Sequence, residues 1–302
     1  MAQPLIRTFS YHYREKYGQV VGKIAVDMGQ RCPNRARGGC VFCRPASFTP
    51  SYLDKTDTVV QQVAKGKKQL LGTRFKKYFA YFQQETCTAL PVDTLLEVFE
   101  QLLSDIDCVG LILSTRPDYV EDRLLVLLAD LVNSTGKECL FELGVQSSHD
   151  RSLKFLNRNH SFSDFSTTVL RIKQTGCLEV GGHLIFGIPS ETREDMLFSH
   201  TKVCGLGMNA LKLHHLQVIR GTRLHELYRR DQVRLFSLDD YLEFLLVALQ
   251  VIPSDITIHR LWATAHPDLL VGPRWNILAG KLSARLREKM VAGGIWQGMA
   301  AG

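Results

Sequence analysis

The chain is poor in cysteine, with eight in 302 residues and only one local group among them. That excludes a disulfide-stapled secreted scaffold. Long apolar runs are also missing. The stretch Tyr241–Ile252 is broken by Glu243 and Gln250 and falls short of the ~18 residues a membrane span needs. The opening MAQPLIRTFSYHYREKYG has no apolar h-region and no small-residue cleavage site, so no secretory leader is expected. No internal repeat and no linker rich in Pro, Gly or Ser interrupts the chain. With 45% apolar and 22% charged residues, a disordered chain is excluded too. These absences together point to a cytoplasmic protein with reduced thiols and no membrane partner.

What is present is an alternation. Apolar strand-like runs occur at Lys23–Met28, Lys77–Phe82, Val109–Leu113, Cys139–Val145, Val180–Ile185 and Ala210–Val218. Helical spacing falls between them, at Thr56–Leu71, Val92–Leu103, Arg123–Val132, Asp164–Gln174 and Glu191–Cys204. Polar loops follow the strands near Glu85, Thr115, Val145, Phe186 and Gln217, each roughly one βα unit (~30 residues or somewhat more) from the last. This order predicts an α/β fold, an incomplete (βα)6 TIM-type barrel with right-handed crossovers. Beyond about Leu235 the rhythm fades. Residues 1–235 are therefore expected to form the barrel. Residues 236–302 are expected to form a helical extension packed on it, with helices at Leu238–Leu249 and Trp275–Lys289 and a short run at Asp255–His259.

The one cysteine group lies just after the first strand: GQRCPNRARGGCVFC places Cys32, Cys40 and Cys43 in a Cys-x7-Cys-x2-Cys loop. Cys87, Cys108, Cys139, Cys177 and Cys204 stand singly in strand or helix runs and read as small buried hydrophobes. A structural zinc site closes with four ligands, and only His12 or Cys87, both outside the loop, is available as a fourth. An iron–sulfur cubane held by three thiolates leaves one iron open, as a catalytic centre requires. Both readings stand on the residues alone. The charge balance, 37 Lys and Arg against 30 Asp and Glu, is +7. Part of it is clustered, at Lys65, Lys67, Lys68, Arg74, Lys76 and Lys77, and again at Arg220, Arg223, Arg229, Arg230 and Arg234. Arg31, Arg35, Arg37 and Arg44 surround the cysteines. Each cluster is either a solvated face or a contact for a polyanion.

A three-cysteine loop after the first strand of such a barrel resembles the radical S-adenosylmethionine (SAM) superfamily. STRPD (Ser114–Asp118), ELGVQS (Glu142–Ser147) followed by Asn157–His160, GGHLIFGIPSETRED (Gly181–Asp195) and KLHHLQVIRGTRLHELYRR (Lys212–Arg230) resemble its Elongator catalytic-subunit branch. The opening SYHYREKYGQVVGKIAVDMGQRCPNR and the closing IHRL, PDLL and WQG resemble the small stand-alone proteins of the YhcC/YtqA type. The resemblance runs over nearly the whole chain.

It implies that Cys32, Cys40 and Cys43 hold a [4Fe-4S] cluster and that SAM binds the open iron. FQQETCT (Phe82–Thr88) takes the place of a Gly-Gly-Glu-type loop, which makes Gln83 and Thr86 candidate contacts to the methionine amino group. Ser114 stands where the branch carries an acid. Gln146 and Arg158 match positions at the ribose and the methionine carboxylate, Gly187 and Pro189 a turn under the adenine, and Lys212 a lysine of the sixth strand. Most of these fall at the C-terminal ends of strands, where βα barrels carry their chemistry. Read without the family, Glu142 is a paired barrel residue, and His214 and His215 are satisfied strand histidines. No residue is singled out as catalytic.

The implied activity is radical modification of the C5 side chain of the tRNA wobble uridine, converting 5-carboxymethylaminomethyluridine to 5-aminomethyluridine, with tRNA as partner and an external one-electron donor. The segment after the barrel is too short for an acetyltransferase domain, so acetyl transfer is not expected. A radical SAM enzyme acting on a small metabolite or protein is one alternative, and a zinc-containing, non-catalytic RNA-binding protein is another. Two segments depart from the family: Pro33–Gly39 is short between the first two cysteines, and Trp262–His266 (WATAH) replaces a Gly- and acid-containing turn.

Overall fold

The computed structural model describes residues 4–54, 56–71 and 75–301. A first helix, α1 (Phe9–Tyr17), leads into strand β1 (Val21–Val26) and the cysteine loop. Then follow α2 (Val59–Gly66), β2 (Lys77–Phe82), α3 (Val92–Leu103), β3 (Cys108–Thr115), α4 (Asp122–Thr135) and β4 (Glu138–Gln146). After short α5 (Asp150–Phe155) come α6 (Phe162–Gln174), β5 (Glu179–Phe186), α7 (Arg193–Cys204) and β6 (Ala210–His215). The chain closes with β7 (Val218–Ile219), α8 (Arg223–Arg229), α9 (Leu238–Val251), β8 (Thr257–Arg260), β9 (Leu270–Gly272) and α10 (Ala279–Ala292).

Seven strands form one parallel sheet in the order β1-β2-β3-β4-β5-β6-β8. It curls into an open half-barrel, and among the described residues β1 and β8 do not pair. The strands are buried on both faces, which explains their near-continuous apolar runs. Helices cover the outside: Leu95 and Phe99 of α3, Leu128 of α4 and Phe165, Val169 and Ile172 of α6 are fully buried against it. Polar side chains start several of these helices. Thr58, Ser161 and Thr192 each form a reciprocal capping box with the residue three positions on.

Three expectations are corrected. The run at Asp255–His259 is not part of a helical extension; it overlaps the strand Thr257–Arg260, which pairs in parallel with β6 and supplies a seventh barrel strand. The pairing is non-local, and the main chain of Arg7 and Thr8 joins the outer side of that strand. The helix expected over Thr56–Leu71 ends at Gly66 and continues as a π-turn over Lys67–Leu71. The sixth strand stops at His215, and Val218–Ile219 instead pairs antiparallel with β9. Helix α1, for which the sequence suggested no element, fills the base of the half-barrel. Its Tyr13 ring packs 4.7 Å from Phe79 beside Val21, Val109, Ile112 and Leu140.

Candidate active site

At the C-terminal ends of the strands lies a cavity of about 230 Å³. Cys32, Cys40 and Cys43 line it, together with Gln83, Thr86, Ser114, Gln146, Arg158 and Lys212. Gly187 and Pro189 do not line it. They form the turn after β5, where Gly187 has φ +90° and a Cβ would sit 3.1 Å from the Phe236 ring. Only a residue without Cβ fits that bend without displacing the ring.

The cysteine loop is held by polar contacts from distant parts of the chain. Thr86 Oγ1 donates to Cys32 Sγ at 3.1 Å. Cys40 Sγ accepts from Asn34 Nδ2 and from Arg158 Nη1, each at 3.3 Å. Asn157 donates to the carbonyls of Arg37 and Gly39, and Asn34 to that of Asn157, so the short Pro33–Gly39 turn is stitched to the loop after α5. Burial pushes the Cys43 thiol up to about 12, and the neighbouring Cys40 adds to the rise.

Glu85 is a contact that sequence reasoning missed. Its carboxylate accepts from the Cys32 N–H at 3.1 Å and from Arg35 Nε at 3.0 and 3.1 Å. Its φ of +54° lies in the left-handed region, where glycine would sit without strain. The family glycines replaced here thus leave a strained acidic clamp on the first cysteine. Gln146 at the end of β4 is also left-handed, φ +66°, and its buried Oε1 has no hydrogen-bond partner among the described residues. Gly144 explains how Arg158 approaches: a Cβ there would stand 2.7 Å from Arg158 Nη2 and 2.8 Å from Gln146 Nε2. Arg158 Nη2 instead donates to the Gly144 carbonyl at 2.7 Å.

A charged network floors the cavity. Glu142 Oε2 accepts from Lys212 Nζ (2.9 Å), Tyr81 Oη (3.0 Å) and Ser114 Oγ (2.8 Å), and Lys212 also donates to Tyr81. On its other side Oε1 faces His259 Nδ1 at 3.4 Å and Lys23 Nζ at 4.0 Å. Burial alone would raise the Glu142 carboxyl, but Lys212, the His259 hydrogen bond and Lys23 outweigh it and hold it well below the usual carboxylate range. Burial lowers Lys23 to about 7, against the pull of Glu142. Ser114 and Lys212 therefore face the cavity with polar atoms already committed to Glu142. His183 and His214 share a 2.8 Å hydrogen bond, and burial lowers both imidazoles, so they are neutral at neutral pH.

The basic clusters separate. Lys65 pairs with Asp57, and Lys67 with Asp105 and Asp107, so two charges of the first are neutralised, while Lys68, Lys76 and Lys77 form no ion pair among the described residues; its Arg74 lies outside them. In the second, Arg220, Arg223, Arg229, Arg230 and Arg234 are exposed and, among the described residues, form no ion pair. This group is tied to the cysteine loop. The Leu224 N–H donates to the Val41 carbonyl at 2.9 Å, and Arg44 Nη1 to the Arg220 carbonyl at 2.7 Å.

The donor set fits an iron–sulfur cluster. Three thiols share one cavity wall, with hydrogen-bond donors aimed at two of the sulfurs. Among the described residues no three His, Cys, Asp or Glu side chains are gathered closely enough for one metal ion.

Comparison with known proteins agrees. Residues 26–199 match the radical SAM superfamily and residues 208–291 the radical SAM C-terminal domain. YtqA of Bacillus subtilis is 33% identical over 297 residues, covering 96% of this chain and 91% of YtqA. The tRNA uridine(34) acetyltransferase of Methanocaldococcus jannaschii is 26% identical over 283 residues, 90% of this chain but only 51% of that protein. The solved structure of archaeal Methanocaldococcus infernus Elp3, with its N-terminus deleted, superposes with a TM-score of 0.68 at 20% identity. That match covers 92% of this chain and 64% of the Elp3 chain. The family match over residues 26–199 and the 33% identity to YtqA show that the chain belongs to the radical SAM superfamily, whose members use a [4Fe-4S] cluster and SAM.

Proposed function

We propose that the chain is a radical SAM enzyme that modifies the C5 side chain of the tRNA wobble uridine. The reaction would remove the carboxymethyl group of 5-carboxymethylaminomethyluridine to leave 5-aminomethyluridine. The observation that carries the reading is the joining of two features at one barrel mouth: a three-thiol cavity, and a rim of arginines on and beside α8, without ion pairs among the described residues, whose main chain is hydrogen-bonded to the cysteine loop. Phosphate backbones bind such rims through counterion release. The relative named for tRNA uridine 34 supports the same substrate class.

In this reading Cys32, Cys40 and Cys43 hold the cluster, and Gln83, Thr86, Gln146 and Arg158 contact SAM. When bound, these groups supply a 5′-deoxyadenosyl radical able to take hydrogen from an unactivated C–H bond. The chain's own residues orient and shelter them. Thr86, Asn34 and Arg158 donate to cysteine sulfurs, which fixes the direction of those side chains. The free Gln146 oxygen is an acceptor for a ligand hydroxyl. Glu142, with Lys212 and Tyr81, fixes charge beneath the cavity without leaving an unpaired ion.

The test is anaerobic reconstitution with iron and sulfide, then dithionite and SAM, with 5′-deoxyadenosine quantified with and without tRNA bearing 5-carboxymethylaminomethyluridine. Stimulation by that tRNA and formation of 5-aminomethyluridine are expected. The double variant Cys40→Ala with Cys43→Ala is expected to lose both iron and SAM cleavage. Zinc in place of iron, or turnover persisting in the double variant, would sink the proposal.

A further inference from the structure

A second cavity, of about 360 Å³, adjoins the first. His215, Gln217, Ala263 and Thr264 line both. Its walls are aromatic and apolar, including Trp262, Trp275, Pro267, Pro273 and Leu270, and among the described residues no carboxylate lines it. Trp262–Ala265 belong to the segment that departs from the family pattern, so the departure sits at the junction of the two cavities.

The slot is built rather than accidental. Trp275 lies 4.1 Å from the His215 ring and 5.5 Å from Tyr241, and its Nε1 donates to the Phe236 carbonyl at 3.2 Å. His215 is 3% exposed, yet its Nδ1 has no hydrogen-bond partner among the described residues. Gln217 Nε2 stands 3.3 Å from His215 Nε2 and 3.4 Å from the Ala263 carbonyl, which puts an amide at the passage between the cavities. Positive charge flanks the opening. Arg274 lines it and is exposed, and the Arg220 N–H donates to the Leu269 carbonyl, joining the arginine rim to the cavity's edge.

Indole walls, amide and imidazole edges, cationic flanks and no acid describe a seat for an unpaired nucleobase attached to a phosphate backbone. We propose that the second cavity holds the uracil ring of the substrate nucleotide, stacked on the indole wall formed by Trp262 and Trp275. Its C5 arm passes by Gln217 and Thr264 into the first cavity. This rests on the tRNA reading above and adds where the base sits and which residues select it.

The test uses a Trp296→Phe background, since Trp296 is exposed and lines neither cavity, leaving only Trp262 and Trp275 to fluoresce. The reconstituted protein with SAM is titrated with an anticodon stem-loop carrying 5-carboxymethylaminomethyluridine, with a blunt duplex of the same stem, and with the free nucleoside. Quenching by the stem-loop and not by the duplex is expected. Trp262→Leu should raise KM for the stem-loop about tenfold, the order that loss of one base stack gives, and Trp262→Phe should restore most of it. Equal quenching by the duplex, or a parent-like KM in Trp262→Leu while tRNA still stimulates 5′-deoxyadenosine formation, overturns the base seat and leaves the tRNA reading standing. Quenching by the nucleoside alone makes the occupant a small metabolite and overturns it as well. If no RNA quenches and none stimulates SAM cleavage, both fall.

Discussion

Removing the Glu142 charge should destabilise the half-barrel far more than an average substitution. Glu142 and Lys212 are 4% and 5% exposed, and the ammonium's only other hydrogen-bond partner among the described residues is the Tyr81 hydroxyl. Glu142→Gln keeps the side chain's shape and its capacity to accept from Ser114 and Tyr81, but it strands a buried lysine charge. Breaking a buried pair from one side costs ~3–5 kcal/mol. At about 2 °C per kcal/mol for a chain of this size, the melting temperature should fall by roughly 6–10 °C. Glu142→Gln combined with Lys212→Met removes both charges, so most of that loss should return.

The pH dependence has a definite sign. The Glu142 carboxyl is held below its unfolded value, so its contribution is present above about pH 4.3 and is lost as pH falls through the folded value. The parent and Glu142→Gln should therefore converge in acid. Thermal denaturation of the parent, single and double variants across pH reads all of this. A single variant within about 2 °C of the parent at pH 7, or a double variant no more stable than the single, would refute the argument that charge pairing holds this floor.

Lys23 predicts a slope in the opposite range. Its folded value is lowered to about 7, so between there and about pH 10 the unfolded chain binds the extra proton and stability rises with pH. The gain should reach up to ~3 kcal/mol by about pH 9.5, and Lys23→Met should abolish it in the same melting experiment. Glu85→Ala should free the cysteine loop, and amide hydrogen exchange at Cys32–Arg37 should quicken several-fold. Glu85→Gly should be the more stable of the two by ~1 kcal/mol, because it relieves the left-handed backbone. Replacing Arg223, Arg229 and Arg230 by Ser should lower the slope of log Kd for tRNA against log salt by about 2, while Lys65→Ser with Lys67→Ser leaves it unchanged.

Local chemistry was legible in the sequence; convergence was not. Strands buried on both faces print apolar runs that need no partner to be recognised, and three cysteines within one loop announce themselves. The seventh strand was missed because Thr257–Arg260 is short and half-polar, and only its pairing with β6 makes it a strand. Glu142 could be read as a paired barrel residue, but its partners come from β2, β3 and β6, with His259 from the overlooked β8. Ser114 and Lys212, expected to reach cofactor, sit on the cavity wall with their polar atoms turned to that carboxylate. The Glu85 clamp was illegible for the same reason. Its partners lie some fifty residues away, and the signal that was present, an acid within a loop that departs from the Gly-Gly-Glu type, does not say what the acid touches.

The two cavities divide along the chain in a way that bears on how specificity changes. The thiol side is assembled from the loops after β1, β2, β3 and β4, and it is cross-braced by Thr86, Glu85, Asn157 and Arg158. An alteration there disturbs several cysteine contacts at once. The indole-walled side comes from the segments after β6 and β8, where Trp262–Ala265 touch neither the cysteines nor the Glu142 network through any side-chain hydrogen bond among the described residues. That turn can therefore vary without unseating the cluster loop, and it is one of the two segments where this chain departs from the family pattern. The seventh strand gives the arrangement its rigidity. β8 carries His259 and Arg260 into the floor and wall of the first cavity, and the turn that walls the second begins only two residues later. If the second cavity seats the substrate base as proposed, a change of ring can be absorbed at Trp262–Ala265 while the β6–β8 pairing immediately beside it keeps the register of the first cavity.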